Sequence, residues 1–320
     1  MGSLRRALVA IYYAARCAAD TPPTVVMYET RGLDDPTTYW RASYDLASRY
    51  AARHGHHFVM YTLPKGMPRL DACDGSRLGP YWGKAAAAVQ ASLDFPRSRF
   101  FLLLDSDAAV STTATKTGDR WSDRNLAQIL EATAGWPSSG SPILVNQADR
   151  TYWERRAPQN ITKWRYLLNS GTFAWRGAKG AEFMKAFWRR ASSYDTRGRN
   201  ALGLDFTRAW PQDQYGLNAV ANAKEWVHDI QVVPHPATYA ADYATYKASV
   251  SLKHRPPWPC LSGLPRSRCV VDHYCQHAKH KLGLVDAAKR EGVLGEGVIL
   301  KHVRALPRRG KGGFWAACDR

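Results

Sequence analysis

The chain has 320 residues, 45% of them hydrophobic, and a net charge of +18. That is enough to bury a substantial core in one large domain or two small ones, and no apolar run reaches the roughly 18 residues of a membrane-spanning helix. The basic balance favours anionic partners, whether nucleic acid, nucleotide phosphates, acidic glycans or a membrane surface, without choosing among them.

The opening MGSLRRALVAIYYAARCAAD has Arg5 and Arg6, a short apolar run, then small residues. It reads either as a short signal peptide or as a first buried strand; the two tyrosines in the run favour the strand. TVVMYET (24–30) reads as a strand. Residues 37–55 carry Tyr39/Trp40, Tyr44, Leu46/Ala47 and Tyr50/Ala51 at helical spacing, with Gly55 where a helix would stop. HHFVMYTL (56–63) is a second strand, YWGKAAAAVQASLD (81–94) a helix that stops before Pro96, and FFLLL (100–104) a third strand. Its unbroken apolar run suits a parallel strand covered on both faces. Downstream, 122–133 reads as a helix capped by Ser122, 142–147 as a strand, and 166–177 as two strands around a Ser-Gly turn. Helices follow at 181–194 and after Pro211, and strands at VHDIQVVPHP (227–236) and GVILKHVRAL (297–306). Residues 236–290, rich in His, Pro and Cys, are the least regular part.

Six cysteines (17, 73, 260, 269, 275 and 318) fit either disulfides of a secretory protein or reduced thiols. Cys269, His273, Cys275 and His277 also suggest a zinc site, although their spacing fits no standard finger. One glycosylation sequon begins at Asn160.

The strand–helix–strand–helix–strand order argues for an open parallel α/β sheet, and ligands of such sheets sit beyond the carboxyl ends of the strands. There the chain places Asp105-Ser106-Asp107. Two neighbouring carboxylates repel unless a cation or proton lies between them, and hard oxygen ligands suit Mg²⁺ or Mn²⁺, which bind diphosphate oxygens in turn. Two reaction classes use such a pair. A phosphatase of the haloacid dehalogenase type uses its first Asp as nucleophile, but that motif continues with Gly and Thr near the N-terminus, whereas Ala108 and Ala109 follow here, after two earlier strands. A sugar-nucleotide transferase uses the pair to hold an ion on the donor's diphosphate.

An ordered set of segments resembles the GT-A glycosyltransferase family that includes plant xyloglucan xylosyltransferases and α-galactosyl- and α-mannosyltransferases. The segments are Ala52-Arg53-His54-Gly55 running into a strand, Trp82-Gly83-Lys84 opening a helix, Asp105-Ser106-Asp107-Ala108, Leu168-Asn169-Ser170-Gly171-Thr172-Phe173, Asp213-Gln214, and His302. The resemblance spans roughly 24–310 and gives no match over 236–290. It implies a single large α/β domain (24–320, after an N-terminal segment 1–23), built as a Rossmann-like open mixed sheet flanked by helices. It also implies a Mn²⁺- or Mg²⁺-dependent transferase that moves a hexose or pentose, with UDP-galactose or UDP-xylose favoured as donor, to a glycan or glycoprotein hydroxyl with retention.

By the same resemblance, Asp105, Asp107 and His302 ligate the metal, Asp105 also facing the nucleotide. Asn169, Gly171, Asp213 and Gln214 line the sugar. Gln212 replaces the first of two acids that plant members often carry, and no Asp or Glu stands out as nucleophile. Arg308, with Lys311 behind it, neutralises the diphosphate, and Lys84 is either on the nucleotide side or structural. Golgi or secretory-lumen residence is implied, with a cytoplasmic form left open. The alternatives are a metal-dependent phosphohydrolase or a basic binder of nucleic acid or glycan; the chain lacks an aromatic-and-basic RNA motif, so nucleic acid is not an expected partner.

Overall fold

The computed structural model describes residues 21–114, 118–134, 143–148, 164–166, 168–191, 212–233, 271–273, 278–294 and 302–319. Strand β1 (Thr24–Tyr28) leads through helix α1 (Tyr39–Arg53) to β2 (His57–Thr62), and a short 3₁₀ turn (Pro80–Trp82) leads into α2 (Gly83–Asp94) and β3 (Phe101–Leu104). Then come β4 (Ala108–Val110), α3 (Leu126–Ala134), β5 (Leu144–Ala148), β6 (Leu168–Trp175), α4 (Gly177–Arg190), α5 (Gln212–Ala221), β7 (Ile230–Val233), β8 (Val271–His273), α6 (Ala278–Arg290) and β9 (Val303–Ala305).

Seven of these strands form one sheet in the order β7-β5-β6-β3-β1-β2-β9. Neighbours are parallel except at β6, which runs against both β3 and β5. The sheet is thus mixed, with a single reversed strand. Alternate residues of the central strands feed two cores. Val26, Val59, Phe101 and Leu103 face α2 and α4; Val25, Phe58, Leu102 and Leu104 face α1 and α3. This explains the uninterrupted apolar run of β3, because both of its faces are covered. A small second sheet pairs β4 with β8, antiparallel, and α6 packs outside α1 through Leu284, Val285 and Ala288.

Two expectations change. The 166–177 stretch is not a hairpin: Leu168–Trp175 is one strand, buried at every position. Burial on both sides removes the solvent that a Ser-Gly turn would face. Helix α3 is capped not by Ser122 but by Asn125. Its Oδ1 accepts the Gln128 N–H and Gln128 Oε1 accepts the Asn125 N–H, both at 2.9 Å, a reciprocal capping box. The 1–20 segment, the Asn160 sequon, and Cys269, Cys275 and His277 of the zinc reading lie outside the described residues.

The C-terminal segment straps the fold. The Leu306 N–H donates to Thr62 O, and the Phe314 N–H to Gln90 Oε1. Phe314 and Trp315 stack edge-on against Trp188, and a Cys73–Cys318 disulfide closes a separation of 245 residues. Cross-linking so long a loop restricts the unfolded chain. Replacing Cys318 with Ser is expected to lower stability by up to about 5 kcal/mol on chain-entropy grounds, read as a fall in denaturant midpoint.

His56 ties the start of β2 to α3, its Nε2 accepting the Leu126 N–H at 3.1 Å. Burial, then the neighbouring His54 and His57, push its pKa down from 6.5 to about 4. The unfolded state therefore binds the proton first, so this stability is present above pH 6.5 and lost as pH falls through 4. A loss of about 2 kcal/mol is expected across that window once partial exposure is discounted, and urea midpoints of His56→Gln should show a flatter profile.

Candidate active site

The parallel strands β1, β2 and β3 end at one rim of the sheet, level at Met27, Met60 and Leu104. The Asp105 N–H extends the β3–β6 ladder one step by donating to Gly171 O at 2.8 Å. The chain then turns: the Ala108 N–H donates to Asp105 O, the Ser106 N–H donates to Asp105 Oδ1, and Asp107 is buried at the head of β4. The Asp-Ser-Asp motif is a tight turn between two buried strands.

Lys84 connects this turn to the other half of the chain. Its Nζ donates to Asp105 Oδ2 at 3.1 Å and forms an ion pair with Asp213 Oδ2 at 3.0 Å. Lys84 and Asp213 are almost wholly buried, at 7% and 2% side-chain exposure, while Asp105 keeps 25%. Burial alone pulls the ammonium pKa down, but the Asp105 and Asp213 charges outweigh it and hold it above the ordinary lysine range. The residues before Lys84 make this possible. A Cβ on Gly83 would stand 1.8 Å from the Tyr28 ring, and one on Gly216 would stand 2.3 Å from the Trp82 ring. Two glycines thus let the start of α2 press against β1 on one side and α5 on the other.

Helix α5 is held to β6 by a ladder of amides spaced four residues apart. The Ser170 N–H donates to Gln214 Oε1 at 3.4 Å. Asn218 accepts from the Leu168 N–H at 2.6 Å and donates to Leu168 O at 2.9 Å. Asn222 repeats this with both backbone groups of Tyr166 at 2.8 Å. Four helical residues rise about 6 Å and two strand residues about 6.7 Å, so the two periods nearly match. The ladder takes over where the β5–β6 register shifts. It fixes α5 lengthwise and so delivers Asp213, in its first turn, to Lys84. Sequence reading missed Asn218 and Asn222; their signal is the Gln-x₃-Asn-x₃-Asn spacing on a buried helix face.

The structure therefore brings Asp105, Lys84, Asp213, Asn169, Gly171 and Gln214 to one region. Asn169 Oδ1 accepts the Gly171 N–H at 2.7 Å, so both backbone groups of Gly171 bond within the protein. Lys84 serves the two aspartates. His302 is placed elsewhere. It precedes Val303, which pairs with Met60 on β2, and its ring packs on Phe58. That is three strand spacings from β3, about 14 Å across the sheet. Among the described residues no three His, Cys, Asp or Glu side chains converge as a ligand set. The backbone of His302, at the start of the edge strand β9, thus stands apart from the turn that carries Asp105 and Asp107. The backbone register of β4 and β8 sets His273 opposite Ala108, next after Asp107. Arg308 and Lys311 lie on the exposed strap beyond β9, Arg308 donating to Lys65 O at 2.7 Å.

The charges at the rim suit a dication. Among the described residues, Glu29, Asp105, Asp107 and Asp213 against Arg31 and Lys84 leave a formal charge of −2. Magnesium-class ions are commonly held by one or two carboxylates together with substrate phosphates. The turn fits an ion shared with a diphosphate rather than one caged by protein alone.

No protein-family profile matches the sequence, and no curated protein matches it. Among solved structures, the chain is similar to a glycosyltransferase involved in the glycosylation of the major capsid of PBCV-1, with 13% identity, a TM-score of 0.49, and coverage of 84% of this chain and 99% of that one. It is also similar to the WbbM bifunctional glycosyltransferase in its apo form, with 12% identity, a TM-score of 0.45, and coverage of 81% of this chain and 46% of that one. At such scores the functional reading rests on the site's own residues.

Removing the ammonium while keeping its stem leaves the buried Asp213 carboxylate and the part-exposed Asp105 without their shared counter-ion. Lys84→Met is expected to destabilise the fold by about 3–5 kcal/mol. Adding Asp213→Asn should recover part of that loss, measured by denaturant titration of the single and double variants.

Proposed function

We propose that the protein is a divalent-metal-dependent glycosyltransferase acting on a nucleoside-diphosphate sugar. The observation that carries this reading is the Lys84 ammonium, which joins the Asp-Ser-Asp turn at the end of β3 to Asp213 at the start of α5. In support of the reading, the turn that would bind a diphosphate lies beside the buried Asp213 carboxylate, a hydrogen-bond acceptor that a sugar could use. Asp105 and Asp107 would hold the ion together with the donor's phosphate oxygens. When bound, that ion would supply positive charge to the departing diphosphate.

The chain's own residues divide the remaining work. Asp213, neutralised by Lys84, is suited to accepting hydrogen bonds from donor-sugar hydroxyls and so orienting the anomeric carbon. Asn169 and Gln214, both anchored to the amino half of β6, shape the wall beside it. Arg308 and Lys311, on the strap beyond β9, are assigned to the leaving diphosphate by the resemblance alone. The acceptor hydroxyl would attack the anomeric carbon as the bond from that carbon to the diphosphate oxygen breaks, the hydroxyl proton passing to the departing diphosphate. UDP-galactose or UDP-xylose as donor, a glycan or glycoprotein acceptor, and retention of configuration follow from the resemblance alone. The Cys73–Cys318 disulfide supports an oxidising compartment such as the secretory lumen.

A thermal-shift panel of sugar nucleotides with and without Mn²⁺ tests the donor, since a ligand of the folded state raises its melting point. Asp107→Ala should abolish the Mn²⁺-dependent shift and cut transfer by roughly 100-fold or more, with the unliganded melting point retained. Phosphate release from simple phosphomonoesters without sugar transfer would sink the assignment in favour of a phosphohydrolase. His302→Ala should leave the Mn²⁺-dependent shift unchanged; its loss would return that histidine to the ligand set.

A further inference from the structure

The Asp105-Ser106-Asp107 turn has a second support, from the loop after β1. The Glu29 N–H donates to Tyr61 O at 3.0 Å, and the Glu29 side chain is only 4% exposed. Its Oε1 accepts from the Thr30 N–H at 2.7 Å, the Arg31 N–H at 2.9 Å and Arg31 Nε at 2.8 Å, while Oε2 takes Arg31 Nη2. The same Nη2 donates to Ser106 Oγ at 3.0 Å. Arg31 Nη1 meets the Tyr39 hydroxyl, and the guanidinium lies 4.3 Å over the Trp40 ring. Four of the five N–H donors of a planar, rigid fork thus have fixed partners. Buried Glu29 cancels the charge of Arg31. The guanidinium therefore does not act at the turn as a competing cation; it acts on it through geometry.

The turn needs such a peg. Two carboxylates on a three-residue turn form no cage, and each must be ordered before it can share an ion. Lys84 restrains Asp105 from within the core, but Ser106, between the two acids, is reached from the outer side by Arg31. We propose that Arg31 is a positioning residue: braced by Glu29 and Trp40, it pins Ser106 and fixes the angle at which Asp105 and Asp107 face a divalent ion and a diphosphate. This rests on the glycosyltransferase reading above. It assigns a site role to a loop that the family-like motifs leave out.

The test uses the full chain, with Ser106→Ala, Ser106→Thr, Arg31→Met and the Arg31→Met/Ser106→Ala double variant. Hydrogen exchange at the Ala108 amide, which bonds Asp105 O, needs no ligand and reads the turn directly. It should quicken in Ser106→Ala and Arg31→Met and stay at the wild-type rate in Ser106→Thr, which keeps a hydroxyl. Mn²⁺ titrated in the presence of UDP should bind roughly tenfold more weakly in both single variants, the scale seen for outer-shell partners of metal ligands. The double variant should be no weaker than either, because both changes break one contact. Donor KM should rise with kcat nearly unchanged. Unaltered exchange in the single variants overturns the proposal, as does quickened exchange with Mn²⁺ affinity intact, which would make Arg31 merely structural. If the wild-type protein neither binds UDP nor transfers sugar, the functional reading falls, while the exchange measurement still decides whether Arg31 holds the turn.

Discussion

A single buried ammonium organises the rim of this protein. Lys84 can exist there only because two carboxylates meet it, and Asp213 can be buried only because Lys84 does. Each partner alone would face the desolvation cost of an unpaired charge. The arrangement therefore forms as a unit or not at all. It joins the start of α2, the end of β3 and the start of α5, which come from widely separated parts of the chain.

The neighbouring packing serves that contact. Gly83 admits the Tyr28 ring and Gly216 admits the Trp82 ring, so α2 and α5 approach closely enough for Lys84 to span the two acids. The Gln214, Asn218 and Asn222 amides lock α5 at one height along β6; a slide of the helix by one turn would carry Asp213 away from Lys84. Buried amides accept this task because every backbone group they cover must find a partner. On the opposite side, the C-terminal strap covers α2 with Phe314 and Trp315 and is closed by Cys73–Cys318. The site region is thus held from below by an ion pair, along its length by amides and at its flank by a covalent link.

The elements up to β3 were legible because their chemistry is local. Helical spacing over 37–55, the stop at Gly55 and the unbroken FFLLL run each follow from one segment's burial pattern. The same reading failed at 166–177, where a Ser-Gly pair suggested a turn. Whether such a pair turns or extends depends on what lies beside it, and here β3, β5 and α5 all do. Ser122 lost the cap to Asn125 for a related reason: 121–123 forms its own 3₁₀ turn, so the helix begins later.

Local pattern in the chain was enough to show that two acids end a buried strand and that the sheet is of the α/β type, and a family resemblance implied that Trp82-Gly83-Lys84, Asn169–Gly171 and Asp213-Gln214 go with them. These follow from periodicity, from the cost of leaving charges at a buried strand end, and from ordered motifs along one chain. The partners of these residues came from the packing of the fold. It made Lys84, which the sequence leaves open between the nucleotide side and a structural role, the counter-ion of Asp105 and Asp213, and it set His302 at the start of β9, three strands from β3. It also set Arg31 against Ser106. Distances between segments remote in sequence are fixed by strand order and helix packing, and no local pattern encodes them.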